Sequence, residues 1–238
     1  MRLAIFSDIH ANLEALEEAV ACAERSNIQK YAVLGDTVGY GANPDECFKW
    51  AVQKASIYIL GNHEKALIDL SIVEDFSSPA REAILWTRKI MAESLRRLVY
   101  DLPYLKIERG VTFAHGSPGE PEEFRYLFSF QDAAPSFKKM SGPICFVGHT
   151  HVPRCFCETE KSASYLKPGI VSLKKGERYI LNPGSVGQPR DKDPRLSFGI
   201  FDDEKQTFEV IRLEYDNQKA AQKIRKAGLP AYLADRLL

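Results

Sequence analysis

The chain has 238 residues, of which 45% are apolar and 27% charged, and its 32 basic residues balance its 32 acidic ones. This composition excludes intrinsic disorder, and zero net charge disfavours a partner held mainly by a broad basic surface, such as long duplex nucleic acid. No stretch approaches the ~20 apolar residues that a membrane-spanning helix needs. Asp8 and His10 fall where a secretory signal would have its apolar core. We therefore expect a cytoplasmic protein whose five cysteines are reduced.

Strand patterns alternate with helical patterns through the first two-thirds of the chain. The run RLAIFS predicts a strand ending before Asp8, and Asn12 then caps a helix with regularly spaced apolar residues. YAVL and SIYIL predict two more strands. Between them, Asn43 and Glu46 can form a capping box around a proline suited to the first helical turn. Periodicity predicts one long helix from about residue 79 to residue 99.

Short strands dominate after residue 102. A hairpin with Gly110 in its turn ends at His115, and a helix around residues 131–139 precedes the run ICFVGHTH. Strands are then predicted over residues 165–173, 177–181, 196–201 and 207–213, with helices at about 217–226 and after Pro230. This order of elements favours an α/β (α+β) fold with two packed sheets, helices outside, and one domain over residues 1–238.

Five predicted strands are followed directly by residues that bind metals well, and these five segments contain every histidine of the chain. The side chains are Asp8, His10, Asp36, Asn62, His63, Glu64, His115, His149 and His151. Loops after the carboxyl ends of strands in an open α/β sheet converge on one crevice, so we expect one site. A single strand-end histidine is usually a hydrogen-bonding residue, but five such segments together make that interpretation untenable.

The donor types in these segments indicate which metals the site can take. Mixed oxygen and nitrogen donors suit Mn²⁺, Fe, Zn²⁺ or Ni²⁺ rather than Ca²⁺, and we expect Mn²⁺ first. The candidate ligands are Asp8, His10, Asp36, Asn62, His115, His149 and His151. They are too many for one ion but suit two ions that share a carboxylate. Two divalent ions about 3.5–4 Å apart can activate a water for in-line attack on phosphorus.

Five motifs occur in a characteristic order between Ile5 and Val152: Asp-x-His, Gly-Asp-x-x-Gly, Gly-Asn-His-Glu, His-Gly and Gly-His-Thr-His. Together they resemble the calcineurin-like metallophosphoesterase superfamily. The resemblance implies a four-layer α/β/β/α sandwich of two mixed β-sheets flanked by helices. It also implies phosphoester hydrolysis with two metals and attack by hydroxide.

The same resemblance implies individual roles for the site residues. It assigns Asp8, His10 and His151 to one metal, Asn62, His115 and His149 to the other, and Asp36 to a bridging position. It gives His63 the role of contacting the phosphate and protonating the leaving oxygen. Glu64 is expected to start the next helix or to orient a neighbouring group.

The segment from residue 35 to residue 41 indicates which branch of the superfamily the sequence resembles. Ser/Thr protein phosphatases carry a second aspartate and an arginine where this chain has Gly39 and Tyr40, so protein phosphatase activity is not expected. GDTVGYGANP, SDIHANLEAL, GHTHVP and NPGSVGQPRDKDPR resemble compact prokaryotic phosphodiesterases, whose relatives include diadenosine tetraphosphate hydrolases. We therefore expect a small phosphodiester, phosphoanhydride or dinucleotide-type substrate.

Other partners and functions follow from the same considerations. We expect no membrane association and no stable nucleic-acid complex, and a homo-oligomer stays open. A metal-dependent nuclease is the alternative enzyme, and a non-catalytic scaffold with the same fold is the alternative outside catalysis.

Three further features allow less specific predictions. Residues 182–187 form either a loop that offers backbone N–H groups to phosphate or a tight turn between strands. Arg190, Lys192 and Arg195 are expected in a solvated loop neutralised by neighbouring aspartates. Cys155 and Cys157 share one face of a strand, where ordinary packing is expected rather than a metal site.

Overall fold

The computed structural model describes residues 2–28, 30–159, 163–166 and 169–238, and in these residues twelve strands form two six-stranded sheets. The strands are β1 (Arg2–Phe6), β2 (Tyr31–Val33), β3 (Ala55–Tyr58), β4 (Leu105–Glu108), β5 (Val111–Ala114), β6 (Ile144–Phe146), β7 (Arg154–Glu158), β8 (Ala163–Leu166), β9 (Ile170–Ser172), β10 (Arg178–Asn182), β11 (Leu196–Asp202) and β12 (Thr207–Leu213). The helices are α1 (Leu13–Arg25), α2 (Pro44–Lys54), α3 (Asn62–Ile68), α4 (Ser78–Ile90), α5 (Glu93–Arg97), α6 (Phe130–Lys139), α7 (Asn217–Lys226) and α8 (Ala231–Asp235), with 3₁₀ turns at Leu70–Asp75, Leu98–Asp101 and Pro121–Glu123.

Both sheets are mixed, as predicted. The first has the order β3-β2-β1-β11-β12-β9, in which β1, β2 and β3 are parallel. The second has the order β4-β5-β6-β10-β7-β8, in which β5, β6 and β10 are parallel. Parallel strands therefore lie in both sheets, and their carboxyl ends can supply loops to a common edge.

Alternation of side chains along the strands produces the four layers. In β1, Leu3 and Ile5 pack between the sheets against residues such as Phe146 of the second sheet. Ala4 and Phe6 face the opposite way and pack against α1 and α2. The outer face of the second sheet is covered by α6 through its own apolar cluster. The predicted α/β/β/α sandwich is thus confirmed.

Hydrogen bonds join the loops of both sheets where the predicted site residues lie. The N–H of Asp8 donates to the carbonyl of Gly35 at 3.1 Å, which links the loops after β1 and β2. The N–H of His149, after β6 in the second sheet, donates to Oδ2 of Asp8 at 3.0 Å. The loops of the two sheets are therefore held against each other at one edge of the sandwich.

Two helix predictions need correction. Asn43 precedes α2 but does not cap it: its amide donates to Glu46, and its Oδ1 accepts a hydrogen bond from Lys223 of α7. The long helix predicted over residues 79–99 is wrong, because the chain leaves the helix at Met91 and Ala92, whose ψ angles are 132° and 133°. This break turns Met91 into the core.

One strand prediction is also wrong, and part of it lies outside the described residues. Residues 165–173 do not form one strand: β8 pairs with β7 in the second sheet, and β9 pairs with β12 in the first. Residues 167 and 168, between them, are not among those described.

The predicted helix cap at Asn12 is confirmed, since its side chain accepts a hydrogen bond from Ala15. Cys155 and Cys157 are buried in the core between the sheets, so the prediction of ordinary packing is confirmed for both. All five cysteines are free thiols. In the described part of the chain, the helices are too short or too polar to span a bilayer.

Candidate metal centre and adjoining cavity

The structure brings all eight predicted site residues together at this edge. All are buried except Asn62, which is partly exposed. Two groups of ligand atoms converge: Asp8, His10, Asp36 and His151 form the first, and Asp36, His115 and His149 form the second. Within each group the ligand atoms lie within 4.8 Å of one another. Asp36 belongs to both groups.

The hydrogen bonds of the first group leave two ring nitrogens facing each other in a position suited to a cation. His10 and His151 donate their Nδ1–H to the carbonyls of Val38 and Gln188, at 2.9 and 2.7 Å. Burial lowers the pKa of both imidazoles well below the usual value, so both are neutral. Their Nε2 atoms consequently carry lone pairs, and these atoms lie 3.1 Å apart. Two lone pairs at this distance repel each other unless a positive ion lies beside them.

The carboxylate of Asp8 supports the same conclusion. Its Oδ1 is buried and accepts no hydrogen bond from the described residues, although it lies 3.3 Å from Nε2 of His151. Burial raises the pKa of Asp8 to about 6, although His115 and the hydroxyl of Ser7 partly offset this effect. The donor set of the first group therefore fits a divalent ion.

The second group is arranged around Nε2 of His115. This atom lies 3.0 Å from Nδ1 of His149, 3.2 Å from Oδ1 of Asn62 and 3.3 Å from Oδ2 of Asp36. The other ring nitrogen of His115 donates to the carbonyl of Leu34 at 2.7 Å and so fixes the orientation of the ring. Three kinds of donor converge here, which fits a second divalent ion.

Asp36 lies between the two groups. Its Oδ2 is 3.7 Å from Nε2 of His10 and 3.3 Å from Nε2 of His115. Burial by itself would raise the pKa of Asp36, but the surrounding imidazoles, His115 foremost, hold it well below its usual value. The same pairing raises the pKa of His115 to about 9 against the opposing effect of burial. Asp36 is thus an anion placed between both groups.

The backbone at the site is strained. Five of the candidate ligands have positive φ angles between 48° and 68°: Asp8, His10, Asp36, His149 and His151. Residues other than glycine seldom adopt this conformation, which costs of order 1–3 kcal/mol each unless the surrounding structure imposes it. Loop hydrogen bonds impose it here, and the result is that ligands separated by only one residue point to one centre.

Glu64 fixes the loop that carries Asp36. It is completely buried, and its two carboxylate oxygens accept hydrogen bonds from the N–H groups of Asp36 and Thr37, at 2.7 and 2.5 Å. It also accepts one from Gly61, at the start of α3. Glu64 therefore both begins a helix and orients a neighbouring group, as the sequence predicts.

The loop at residues 182–187 braces the ligand loops. Val186 and Gly187 donate their N–H groups to the carbonyls of Ser7 and Asp8, and the hydroxyl of Ser185 donates to the carbonyl of Asp8 at 2.7 Å. The amide of Asn182 donates to the carbonyl of Gly148 at 2.7 Å. These N–H groups are already bonded, so the loop is a buried support and the phosphate-binding alternative is wrong for them.

His63 lies beside the first group without belonging to it. Its backbone N–H donates to Oδ1 of Asp36 at 2.9 Å, and its ring centre lies 4.7 Å from that of His10 and 4.6 Å from that of Tyr40. Burial lowers its pKa to about 4. Its Nδ1 is buried with no hydrogen-bond partner among the described residues. A Cβ atom at Gly39 would lie only 2.2 Å from that nitrogen, so glycine is required there.

A cavity of about 550 Å³ opens beside the two groups. Its wall includes the site residues Asn62, His63 and His149, together with aromatic and charged side chains from five other segments. The ring of Tyr126 stacks on that of His149, with ring centres 3.8 Å apart and planes at 14°. The cavity thus joins the metal-binding groups to a surface suited to an organic substrate.

Sequence reasoning missed the cavity residues that lie outside the ligand motifs. Arg190, Lys192 and Arg195 were expected in a solvated, neutralised loop. Lys192 and Arg195 are exposed as predicted, and Arg195 pairs with Asp193 at 2.7 Å. Arg190 instead lines the cavity, where it donates to the hydroxyl of Tyr40 at 3.3 Å. Tyr126 and Arg236 also line it, and no motif in the sequence singles them out.

Comparisons with known proteins agree with this geometry. The family model of the calcineurin-like phosphoesterase superfamily domain matches residues 1–206. An uncharacterized protein from Methanocaldococcus jannaschii is 37% identical over 240 residues, covering 99% of this chain and 96% of that protein. The crystal structure of a metallophosphoesterase from Sphaerobacter thermophilus has a TM-score of 0.87 and 37% identity, covering 100% of this chain and 98% of that one. A hypothetical protein from Pyrococcus horikoshii shares the fold, with a TM-score of 0.80, 19% identity and coverage of 99% and 97%. The chain described here belongs to the calcineurin-like phosphoesterase superfamily.

Proposed function

We propose that this protein hydrolyses small phosphodiesters or phosphoanhydrides with two divalent ions, Mn²⁺ being preferred. The observation that carries the proposal is the pair of ligand groups that share Asp36 at the mouth of a substrate-sized cavity. In this proposal Asp8, His10 and His151 hold one ion, Asn62, His115 and His149 hold the other, and Asp36 bridges them.

The residues of the chain have distinct tasks in this reaction. When bound, the two ions supply an activated water and neutralise charge on the phosphoryl oxygens. Asp36 sets the separation of the two groups, and Glu64 keeps Asp36 in place through its hydrogen bonds to the loop. The buried histidines keep Nε2 or Nδ1 free for coordination because backbone carbonyls bind the opposite nitrogen of three of the rings.

His63 is proposed to act on the leaving group. It lines the cavity next to Asn62 and contributes no atom to either ligand group. A neutral imidazole retains one N–H, which can hydrogen-bond to the departing oxygen as negative charge develops, and its protonated form would deliver a proton to that oxygen. Gly39 leaves the ring free of a carboxylate partner at Nδ1.

The direct test is hydrolysis of bis(p-nitrophenyl) phosphate, a chromogenic diester. We expect turnover by protein loaded with Mn²⁺, loss of turnover after chelation, and recovery when Mn²⁺ is returned. A matched reaction with Mg²⁺ alone separates a specific centre from a general cation effect. Absence of turnover with Mn²⁺, Fe, Zn²⁺ and Ni²⁺ alike would contradict the proposal.

A further inference from the structure

Arg190 presents a positive charge next to the ligand groups and forms no ion pair within the described part of the chain. Its backbone N–H donates to the carbonyl of His151 at 3.2 Å, so its backbone is held next to a proposed metal ligand. The guanidinium donates to Tyr40 Oη and Gln188 Oε1, at 3.3 and 3.2 Å, and its Nε is buried without a partner in the described part of the chain. Both hydrogen-bond acceptors of the guanidinium are neutral, so the guanidinium can still bind an anionic group.

Arg236 places a second charge on the same cavity. It follows α8 at the end of the chain, and its guanidinium lies 5.3 Å from the ring centre of Tyr232. Burial, and then the positive charge of Arg190, lower the pKa of Arg236. The two guanidinium groups are therefore close enough for the charge of Arg190 to disfavour the charged form of Arg236.

The acidic residues of the cavity form no ion pair with these two arginines among the described residues. Asp75, Glu122 and Glu123 also line it, yet within the described ranges none forms an ion pair with either arginine. The contrast with Arg225 is informative, because that residue of α7 pairs with Asp235 at 2.6 Å. Asp235, which precedes Arg236 in the chain, is thus paired with Arg225, and the guanidinium of Arg236 lines the cavity.

Two positive charges on the wall of one cavity favour the binding of an anion in it. The planar fork of arginine matches the oxygens of a phosphoryl group. Tyr40 occupies the position where Ser/Thr protein phosphatases carry an arginine. In this chain the hydroxyl and ring of Tyr40 contact the guanidinium of Arg190 and so position it.

We propose that Arg190 and Arg236 bind successive phosphoryl groups, so that the substrate is a phosphoanhydride rather than a simple diester. This inference rests on the proposed function. Arg190 contacts the phosphoryl group held at the ligand groups, and Arg236 contacts the next one. In hydrolysis the oxygen of water bonds to the first phosphorus, and the P–O bond to the bridging oxygen breaks with its electron pair retained by the departing phosphate. The departing phosphate takes a proton from His63, and the proton that water releases replaces it through solvent.

Binding of two simple anions tests the subsite without any turnover. Inorganic phosphate carries one phosphoryl group, and methylenediphosphonate carries two that cannot be hydrolysed apart. Calorimetric titration would use protein loaded with Mn²⁺ and freed of excess metal, with metal content measured afterwards to detect chelation. The variants are Arg190→Gln, Arg236→Gln and, as a control with the same loss of charge, Arg225→Gln.

We expect the unaltered protein to bind methylenediphosphonate about tenfold or more tightly than phosphate. Arg236→Gln should remove this preference and leave phosphate affinity unchanged, whereas Arg190→Gln should weaken both ligands and Arg225→Gln neither. A preference that survives Arg236→Gln, an equal loss for both anions in that variant, or no preference in the unaltered protein would overturn the proposal.

Turnover of bis(p-nitrophenyl) phosphate separates this inference from the function on which it rests. Activity on that diester together with no anion preference would refute only the subsite. No activity with any metal would refute the proposed function, whatever the anion titrations show.

Discussion

The ligand groups and the cavity beside them are built in different ways. Ligand residues follow directly after parallel strands, are almost all buried, and are tied down by backbone hydrogen bonds. Cavity residues come from separated segments that include a 3₁₀ turn, the loop near residue 124, the loop near residue 190 and the last helix. The comparison teaches that the strands of the sandwich position the ligand residues directly. Substrate selection depends instead on loops and helices that are attached to the sandwich.

Removing the shared charge should have the largest effect. Asp36→Asn keeps the size of the side chain but removes the anion that faces both groups. We expect kcat/KM to fall about 10³-fold or more, and metal content to fall at both positions, because several kcal/mol of charge stabilisation is lost. Asp45→Asn, which changes a partly exposed carboxylate paired with Lys49, is the control. Full activity in Asp36→Asn would refute the bridging role.

The next effect should separate catalysis from metal binding. His63→Ala should lower kcat about 10²–10⁴-fold, the usual contribution of a general acid, while both metals stay bound. The loss should be smaller for a nitrophenolate leaving group, which needs little protonation, than for an alkoxide. An equal loss on both esters would show that His63 positions the phosphate instead, and loss of metal would make it a ligand or a support.

Gly39 tests the position of His63 from the other side. A Cβ in Gly39→Ala would collide with Nδ1 of His63, so we expect kcat to fall toward that of His63→Ala. Gly176→Ala is a matched control, since Gly176 has a similar positive φ of 89° but nothing within 4 Å of the added carbon. The double variant Gly39→Ala/His63→Ala should lose little beyond His63→Ala alone. Additive losses would mean that Gly39 acts independently of the histidine.

Substitutions on the cavity side should have the smallest effect. Tyr126 is 46% exposed and stacks on His149, so Tyr126→Ala should raise KM about two- to tenfold with little change in kcat. Tyr100→Ala, at a 70% exposed tyrosine outside the cavity, should change neither constant. A fall in kcat of more than a hundredfold in Tyr126→Ala would show that the ring also orients the metal ligand.

The ligand groups could be predicted from the sequence because each ligand lies in a short motif at a strand end. The chain has only five histidines, and all of them follow such strands. The positive φ angles at Asp8, His10 and their counterparts could not be predicted, since neighbouring loops impose them. The break at Met91 was missed for a related reason: burial of one side chain in the core outweighed the helical periodicity around it.

The cavity could not be predicted, because its residues meet only in the folded chain. Arg190 and Tyr40 are separated by 150 positions in the sequence, and their hydrogen bond leaves no local pattern. Local charge suggested a neutralised loop, which is correct for Arg195 but not for Arg190. That residues 1–238 form one domain stays a prediction.

Anomalous diffraction from crystals soaked in Mn²⁺ tests the central claim most directly. The account predicts two anomalous peaks about 3.5–4 Å apart, with Asp36 within coordinating distance of both. One peak should have Asp8, His10 and His151 as neighbours, and the other Asn62, His115 and His149. A single peak at full occupancy, or a second peak remote from Asp36, would contradict the claim that the two ligand groups form one dinuclear centre.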